Sequence, residues 1–194
     1  MIDKKTKILN AAINVFAKQG LEKGKIADIA KVAKIGKGTV YEYFKSKDEI
    51  FHEIENMFIH DSVDQLNVIA ESNKTPINKI EKISQLNMNL HEEMGDSVLI
   101  ISELWAQHSR GQLHGHDSSI FTEMYSIYYR IVANILAEGV ENGQFRQMNI
   151  EGVATLLLAL FDGIIWQSVI FKDDKKFQKR EKKAIQSFIN GIKK

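Results

Sequence analysis

Cysteine is absent from the 194 residues, which excludes disulfides and thiolate metal sites. Proline occurs once, at Pro76, and Asn-Gly and Asp-Gly pairs are few, which argues against a turn-rich β protein. Neither charge sign dominates, the formal net charge being +1. Long apolar runs are also missing, with one exception: Val153–Phe171, VATLLLALFDGIIWQSVIF. At 19 residues it approaches the length of a membrane span, but Asp162 stands at its centre with Gly163, Gln167 and Ser168 nearby. A mid-membrane Asp is disfavoured, so we read the run as a helix buried on nearly all sides of a bundle and expect no membrane partner. The N-terminal MIDKKTKILNAAINVF spaces its apolar residues for a helix and lacks an unbroken apolar core, so no signal peptide is expected. These absences fit a cytoplasmic setting.

What is present is a soluble-globular composition, 44% apolar and 26% charged, with an uneven charge distribution. Residues 1–50 hold 11 Lys against 6 Asp or Glu, a net of +5, which leaves −4 on the remainder. That asymmetry points to a head that meets a polyanion and a body that does not. Helical spacing recurs throughout and no strand stands out, so the chain is expected to be all-α with about nine helices. The predicted helices run over about Lys4–Gln19, Ile26–Ala33, Lys37–Phe44, Ser46–Glu71, Pro76–Glu93, Ser97–His108, Ser119–Asn142, Ile150–Phe171 and Lys175–Ile192. Gly20 and Gly143 act as stops, Asn149 as a cap, and Ser46 with Glu49 as a capping box.

The basic stretch Lys25–Lys47, KIADIAKVAKIGKGTVYEYFKSK, carries two short helical patterns around a turn at Lys34-Ile35-Gly36. Ile26, Ile29, Ala30 and Ala33 form one stripe, and Val40 and Phe44 face inward beside Ile35. Helices this short need the first helix to pack on. Two short helices, a tight turn and a basic surface are what a helix-turn-helix requires, with the second helix lying in the major groove. Lys37 and Thr39 stand at its N-terminal end, Gly38 lies between them, and Tyr41 and Tyr43 carry phenols that reach phosphate. Lys25 and Lys47, at neighbouring helix starts, are read as phosphate anchors. Glu42 would repel phosphate unless it accepts from a cytosine amine.

The run Ile29-Ala30, then Lys37-Gly38-Thr39-Val40-Tyr41, then Tyr43-Phe44-Lys45-Ser46-Lys47-Asp48-Glu49-Ile50 resembles the DNA-binding head of the TetR family of bacterial transcriptional repressors. AINVFAKQG, Ala12 to Gly20, is similar to the family's first helix. The resemblance implies a DNA-binding domain over 1–62, including the start of the connecting helix, and a ligand-binding and dimerisation domain over 63–194. It also implies a palindromic operator and a homodimer that pairs its last two helices, about 153–171 and 175–192. The sequence supports pairing independently, since Val153–Phe171 is apolar nearly all round and Phe177, Ile185 and Phe188 form a second stripe. The family pattern is departed from in four places, the first of them two residues long: Thr or Ser is usual at Gly24 and Lys25, Arg at Ala27, Gly at Lys34 and Ser at Gly36. A left-handed Lys34 would cost ~1 kcal/mol relative to Gly.

For a small, largely apolar effector we single out Met57, His60, Asp61, Met88, Glu103, Trp105, His108, Phe121, Met124, Tyr125, Tyr128, Phe161 and Trp166. Trp105 and the Met124–Tyr128 group lead, because they pair large aromatics with polar tips. His108, His114, His116 and Asp117 invite a metal reading, but the spacing is not a helical ligand pair, and neither a metal nor a cofactor is predicted. No nucleophile–base pair, Gly-rich phosphate loop or paired carboxylates stand out, so no enzyme is expected. The resulting expectation is a dimeric, ligand-responsive repressor of double-stranded operator DNA. Two other readings are a helical carrier or enzyme with a vestigial head, and a DNA-binding regulator with no effector.

Overall fold

A computed structural model describes residues 3–94, 98–109, 119–171 and 174–194; the side chains of 89–94, 104, 107–109, 119–121 and 169 fall outside that description. The described residues form nine helices: α1 (Lys4–Lys23), α2 (Ile26–Ala33), α3 (Lys37–Tyr43), α4 (Lys47–Glu71), α5 (Pro76–Met94), α6 (Val98–Ser109), α7 (Ser119–Glu141), α8 (Ile150–Ile170) and α9 (Lys175–Ile192). Among the described residues, extended pairing is limited to one isolated bridge, Phe145 with Lys193. The all-α expectation holds, and the helix ends agree with the punctuation read from sequence to within a few residues.

The chain divides into two compact units. The first comprises α1 to α3, α4 as far as Asp61, and α6. Here α1 packs on α2 and on α6, and α2 on α3. The stripe Ile8, Ala12, Val15 and Phe16 is buried, as its i, i+4, i+7, i+8 spacing predicts. Ile29, Ala30, Val40, Phe44, Ile50, Phe51 and Ile54 of the same unit are also buried, and Phe16 lies edge-on to Phe51 at 6.0 Å between ring centroids. Each buried Val, Ile or Phe among them contributes about 1.5–3 kcal/mol of transfer free energy, which holds helices too short to stand alone.

The long α1 is broken internally. Gly20 has φ 77 and ψ 160, a conformation that favours glycine, and its carbonyl then accepts from the Gly24 N–H at 3.1 Å. Gly24 is itself buried, and a Cβ there would lie 2.8 Å from Phe16 Cδ1. The departure from Thr or Ser at this position therefore has a packing cause: the Phe16 ring occupies the space. Lys34 ends α2 in the left-handed region at φ 56 and ψ 45. The Ile35 N–H bonds the Ala30 carbonyl at 3.0 Å and the Lys34 N–H bonds that of Lys31 at 3.2 Å, the Schellman pattern that reverses the chain towards α3.

The second unit comprises α4 from Ser62, α5 and α7 to α9. Its core joins Leu66 and Ile69 of α4, Ile80 and Ile83 of α5, Val132, Ile135 and Leu136 of α7, Leu157, Phe161 and Ile164 of α8, and Ile185, Ile189 and Ile192 of α9. Asn149 caps α8 by accepting from the Gly152 N–H at 2.8 Å, and Asp174 caps α9 by accepting from the Lys176 N–H at 2.8 Å. The α7–α8 connection is tied to the C-terminus, since the Arg146 N–H bonds the Ile192 carbonyl at 3.0 Å and the Lys194 N–H bonds that of Gln144 at 3.1 Å. On α9 the predicted apolar side is refined: Phe177, Ile185 and Ile192 are buried and Phe188 partly so, but Ala184 is exposed and Ile189 takes its place.

Candidate functional site

In the first unit, α3 presents a polar, aromatic outer face because Val40 and the capping Phe44 use up the inner one. Lys37 and Gly38 are exposed, Thr39 is partly so, and Tyr41 and Tyr43 are 48% and 40% exposed. One turn separates Lys37 from Tyr41, and the Lys37 ammonium lies 5.7 Å from the Tyr41 ring centroid. This cation–π contact orients a lysine that would otherwise be free to swing. Lys25 is exposed at the N-cap of α2 and makes no side-chain cap bond; Gly36, capping α3, has no side chain to make one.

Lys47 behaves differently from the other lysines. Its ammonium donates to the carbonyls of Leu21 at 2.6 Å and Glu22 at 2.9 Å, closing the α1 terminus that Gly20 leaves open. At the start of α4, Ser46 Oγ accepts from the Glu49 N–H at 3.0 Å, while the Glu49 carboxylate accepts from the Lys45 N–H at 2.6 Å. This is the predicted capping box with its return bond displaced by one residue.

The effector candidates fall on both units. In the first, Met57, Glu103 and Trp105 are half-buried and His60 and Asp61 exposed. The His108 side chain and residues 110–118, with His114, His116 and Asp117, lie outside the described residues, as does the Phe121 side chain. In the second, Met88, Met124, Tyr125 and Tyr128 are half-buried, Phe161 belongs to the core, and Trp166 is 38% exposed.

Two of these candidates meet in a polar cluster. The Tyr125 hydroxyl donates to Asp162 Oδ1 at 2.9 Å, and the Tyr128 hydroxyl shares a 2.5 Å hydrogen bond with Ser62 Oγ. Burial pushes the Asp162 carboxyl above the usual carboxylate range, against the lowering effect of the Tyr125 bond. Burial also raises both phenols, the Asp162 charge adding to the effect. Ser62 and Asp162 were not among the sequence candidates. The signal for Asp162 was available, a lone carboxylate in a 19-residue apolar run.

Residues 8–54 match the family described as bacterial regulatory proteins, tetR family, and residues 101–194 match the QacR-like protein, C-terminal region. The chain belongs to the TetR family of bacterial transcriptional regulators. It is 24% identical to the HTH-type transcriptional regulator YfiR of Bacillus subtilis over 89% of this chain and 83% of that protein. It is 25% identical to the fatty acid metabolism regulator protein of the same organism over 72% of this chain and 70% of that protein. A transcriptional regulator from Saccharomonospora viridis in complex with choline shares the fold, at a TM-score of 0.84 and 20% identity over 98% of this chain and 97% of that one. As in other TetR regulators, the partners are operator DNA and a small-molecule effector, and the chain is a ligand-responsive, DNA-binding repressor.

Proposed function

We propose that this TetR-family repressor works in the cytoplasm as a homodimer, without an enzymatic step, and leaves a palindromic operator when a small, largely apolar effector binds. Residues 1–62 carry DNA recognition, and residues 63–194 carry most of the effector seat and the dimer face. Lys37, Gly38 and Thr39 meet base edges, with Tyr41, Tyr43 and Lys25 on phosphates, and two recognition helices about 34–36 Å apart enter successive major grooves. The observation that carries this reading is the exposed Lys37–Tyr41 pair on a short helix reached through the left-handed Lys34 turn.

Pairing is supported by α8, whose apolar side chains outnumber the places its own unit provides. Leu156, Trp166 and Ile170 are 63%, 38% and 71% exposed at positions that share one side of the helix. On α9, Ala184, Ser187 and Gly191 are exposed and small enough for a second helix to approach closely.

The effector seat is centred on Tyr125 and Tyr128. One similar protein is named as a regulator of fatty acid metabolism and another is in complex with choline, which supports a small organic effector. Reversing occupancy from 1:99 to 99:1 requires about 5.5 kcal/mol of differential effector binding. The test is a gel-shift series on DNA from beside the chain's own gene, with and without compounds that bind the protein. Loss of the shifted band with such a compound is expected; binders that never change DNA affinity would remove the switch.

A further inference from the structure

We propose that Glu42 is a specificity-determining residue of the DNA interface, whose carboxylate accepts a hydrogen bond from the exocyclic amine of one cytosine in each operator half-site. The inference rests on the seating of α3 in the major groove proposed above and names a base that this seating selects.

Val40 and the capping Phe44 define the inner side of α3, since both are buried. Gly38 and Glu42 each stand two residues from Val40, about 200° around the helix from it, and so share the middle of the outer side. Lys37 and Tyr41 flank that strip on one edge, and Thr39 and Tyr43 on the other. Helical side chains lean towards the N-terminus, which carries the Glu42 carboxylate over the turn that holds Gly38. A Cβ at Gly38 would meet nothing within 4 Å, so no packing within the unit calls for glycine there. The bare position lets a base edge approach the helix closely and leaves Glu42 as the side chain above it.

Glu42 is exposed, and among the described residues no lysine, arginine or histidine pairs with it. Other carboxylates of the unit are engaged: Glu49 accepts from the Lys45 N–H, and Glu53 pairs with the Lys5 ammonium. Lys37, the cation of α3, lies over the Tyr41 ring instead. On a duplex, phosphate repels such a carboxylate, and its donors must come from base edges. Two bases offer an amine in the major groove. Adenine sets its N7 acceptor beside that amine, which opposes a carboxylate, whereas cytosine presents the amine alone. Guanine presents two acceptors there, and thymine an acceptor and a methyl group. Cytosine is therefore the base that an unpaired Glu42 selects.

The experiment selects bound duplexes from a randomised pool with the full-length wild type, Glu42→Ala and Glu42→Gln, and then measures affinities for the selected sites and their single-base variants. The wild type is expected to enrich a palindrome with cytosine at one fixed position of each half-site. Changing that base should weaken binding about tenfold per half-site. Glu42→Ala should lose the preference at that position alone and bind unrelated duplex more tightly, since a charge that phosphate repels is gone. Glu42→Gln should favour adenine over cytosine there, because an amide both donates and accepts. A Glu42→Ala protein that keeps every wild-type preference overturns the assignment, even where its affinity for all duplexes rises, because Glu42 then only repels phosphate. Should Glu42→Ala not fold, Glu42→Gln decides: an unchanged cytosine preference overturns the assignment. A palindrome enriched by the wild type and indifferent to both substitutions overturns the role of Glu42 and preserves the seating of α3. No enriched sequence at all overturns that seating and Glu42 with it.

Discussion

The Lys47 ammonium lies 2.6 Å from the carbonyl oxygen of Leu21, twenty-six residues earlier, and this joins the start of α4 to the end of α1. A residue whose position suggests a phosphate anchor is thus engaged with the protein's own backbone. Lys47→Ala should lower stability by ~1–2 kcal/mol, since the carbonyls lose a charged donor but regain partial access to water. Lys37→Ala should leave the urea midpoint unchanged and weaken DNA binding, with the slope of log affinity against log salt shallower by about 1 per recognition helix. Denaturation and salt titration of both variants separate the two roles.

Two positive-φ positions should respond with opposite signs. Lys34 is left-handed and exposed, so Lys34→Gly relieves backbone strain and should stabilise by ~0.5–1 kcal/mol after the added freedom of the unfolded chain is deducted. Gly20→Ala should destabilise by ~1–3 kcal/mol. A Cβ at Gly20 meets nothing within 4 Å, so the whole cost is conformational. Thermal unfolding of both variants measures the difference directly.

Asp162 makes stability depend on pH in an unusual direction. Its carboxyl titrates above the ordinary range in the folded protein, so the folded state holds the proton more firmly than the unfolded state does. Stability should therefore fall as pH rises from the ordinary carboxylate pKa through the raised one, and the penalty is complete above it. Asp162→Asn retains an acceptor for Tyr125 and removes the ionisation. It should lack this decline and exceed the wild type in stability at neutral pH, as read from urea midpoints across a pH series.

The dimer proposal makes α8 the sensitive element. Leu156→Glu with Ile170→Glu alters side chains that are 63% and 71% exposed in one protomer, so the fold of that protomer should persist. Light scattering should report a monomer with full helical content, and its DNA affinity should fall because the two half-sites are no longer linked.

Much of this fold was legible because its boundaries are chemical. Gly143, Asn149 and Pro76 each mark an end or a start, and Gly20, read as a stop, breaks α1 three residues before its end at Lys23. The left-handed Lys34 was legible too, from a position where glycine is usual. What escaped were contacts between distant residues. Nothing local to Lys47 indicates that Leu21 and Glu22 lie beside it, and nothing local to Asp162 indicates a phenol thirty-seven residues earlier. Periodicity reports which side of a helix is apolar but not which neighbour its polar groups meet.

On the proposed function, the α3 face binds operator DNA electrostatically through Lys37. The most direct test is the anisotropy of labelled DNA from beside the chain's own gene, titrated with wild type and Lys37→Glu over a range of salt. The wild type should bind tightly and with salt dependence, and Lys37→Glu should lose affinity with a shallower salt slope at unchanged thermal stability. Equal affinity and equal slope for the two proteins would contradict it.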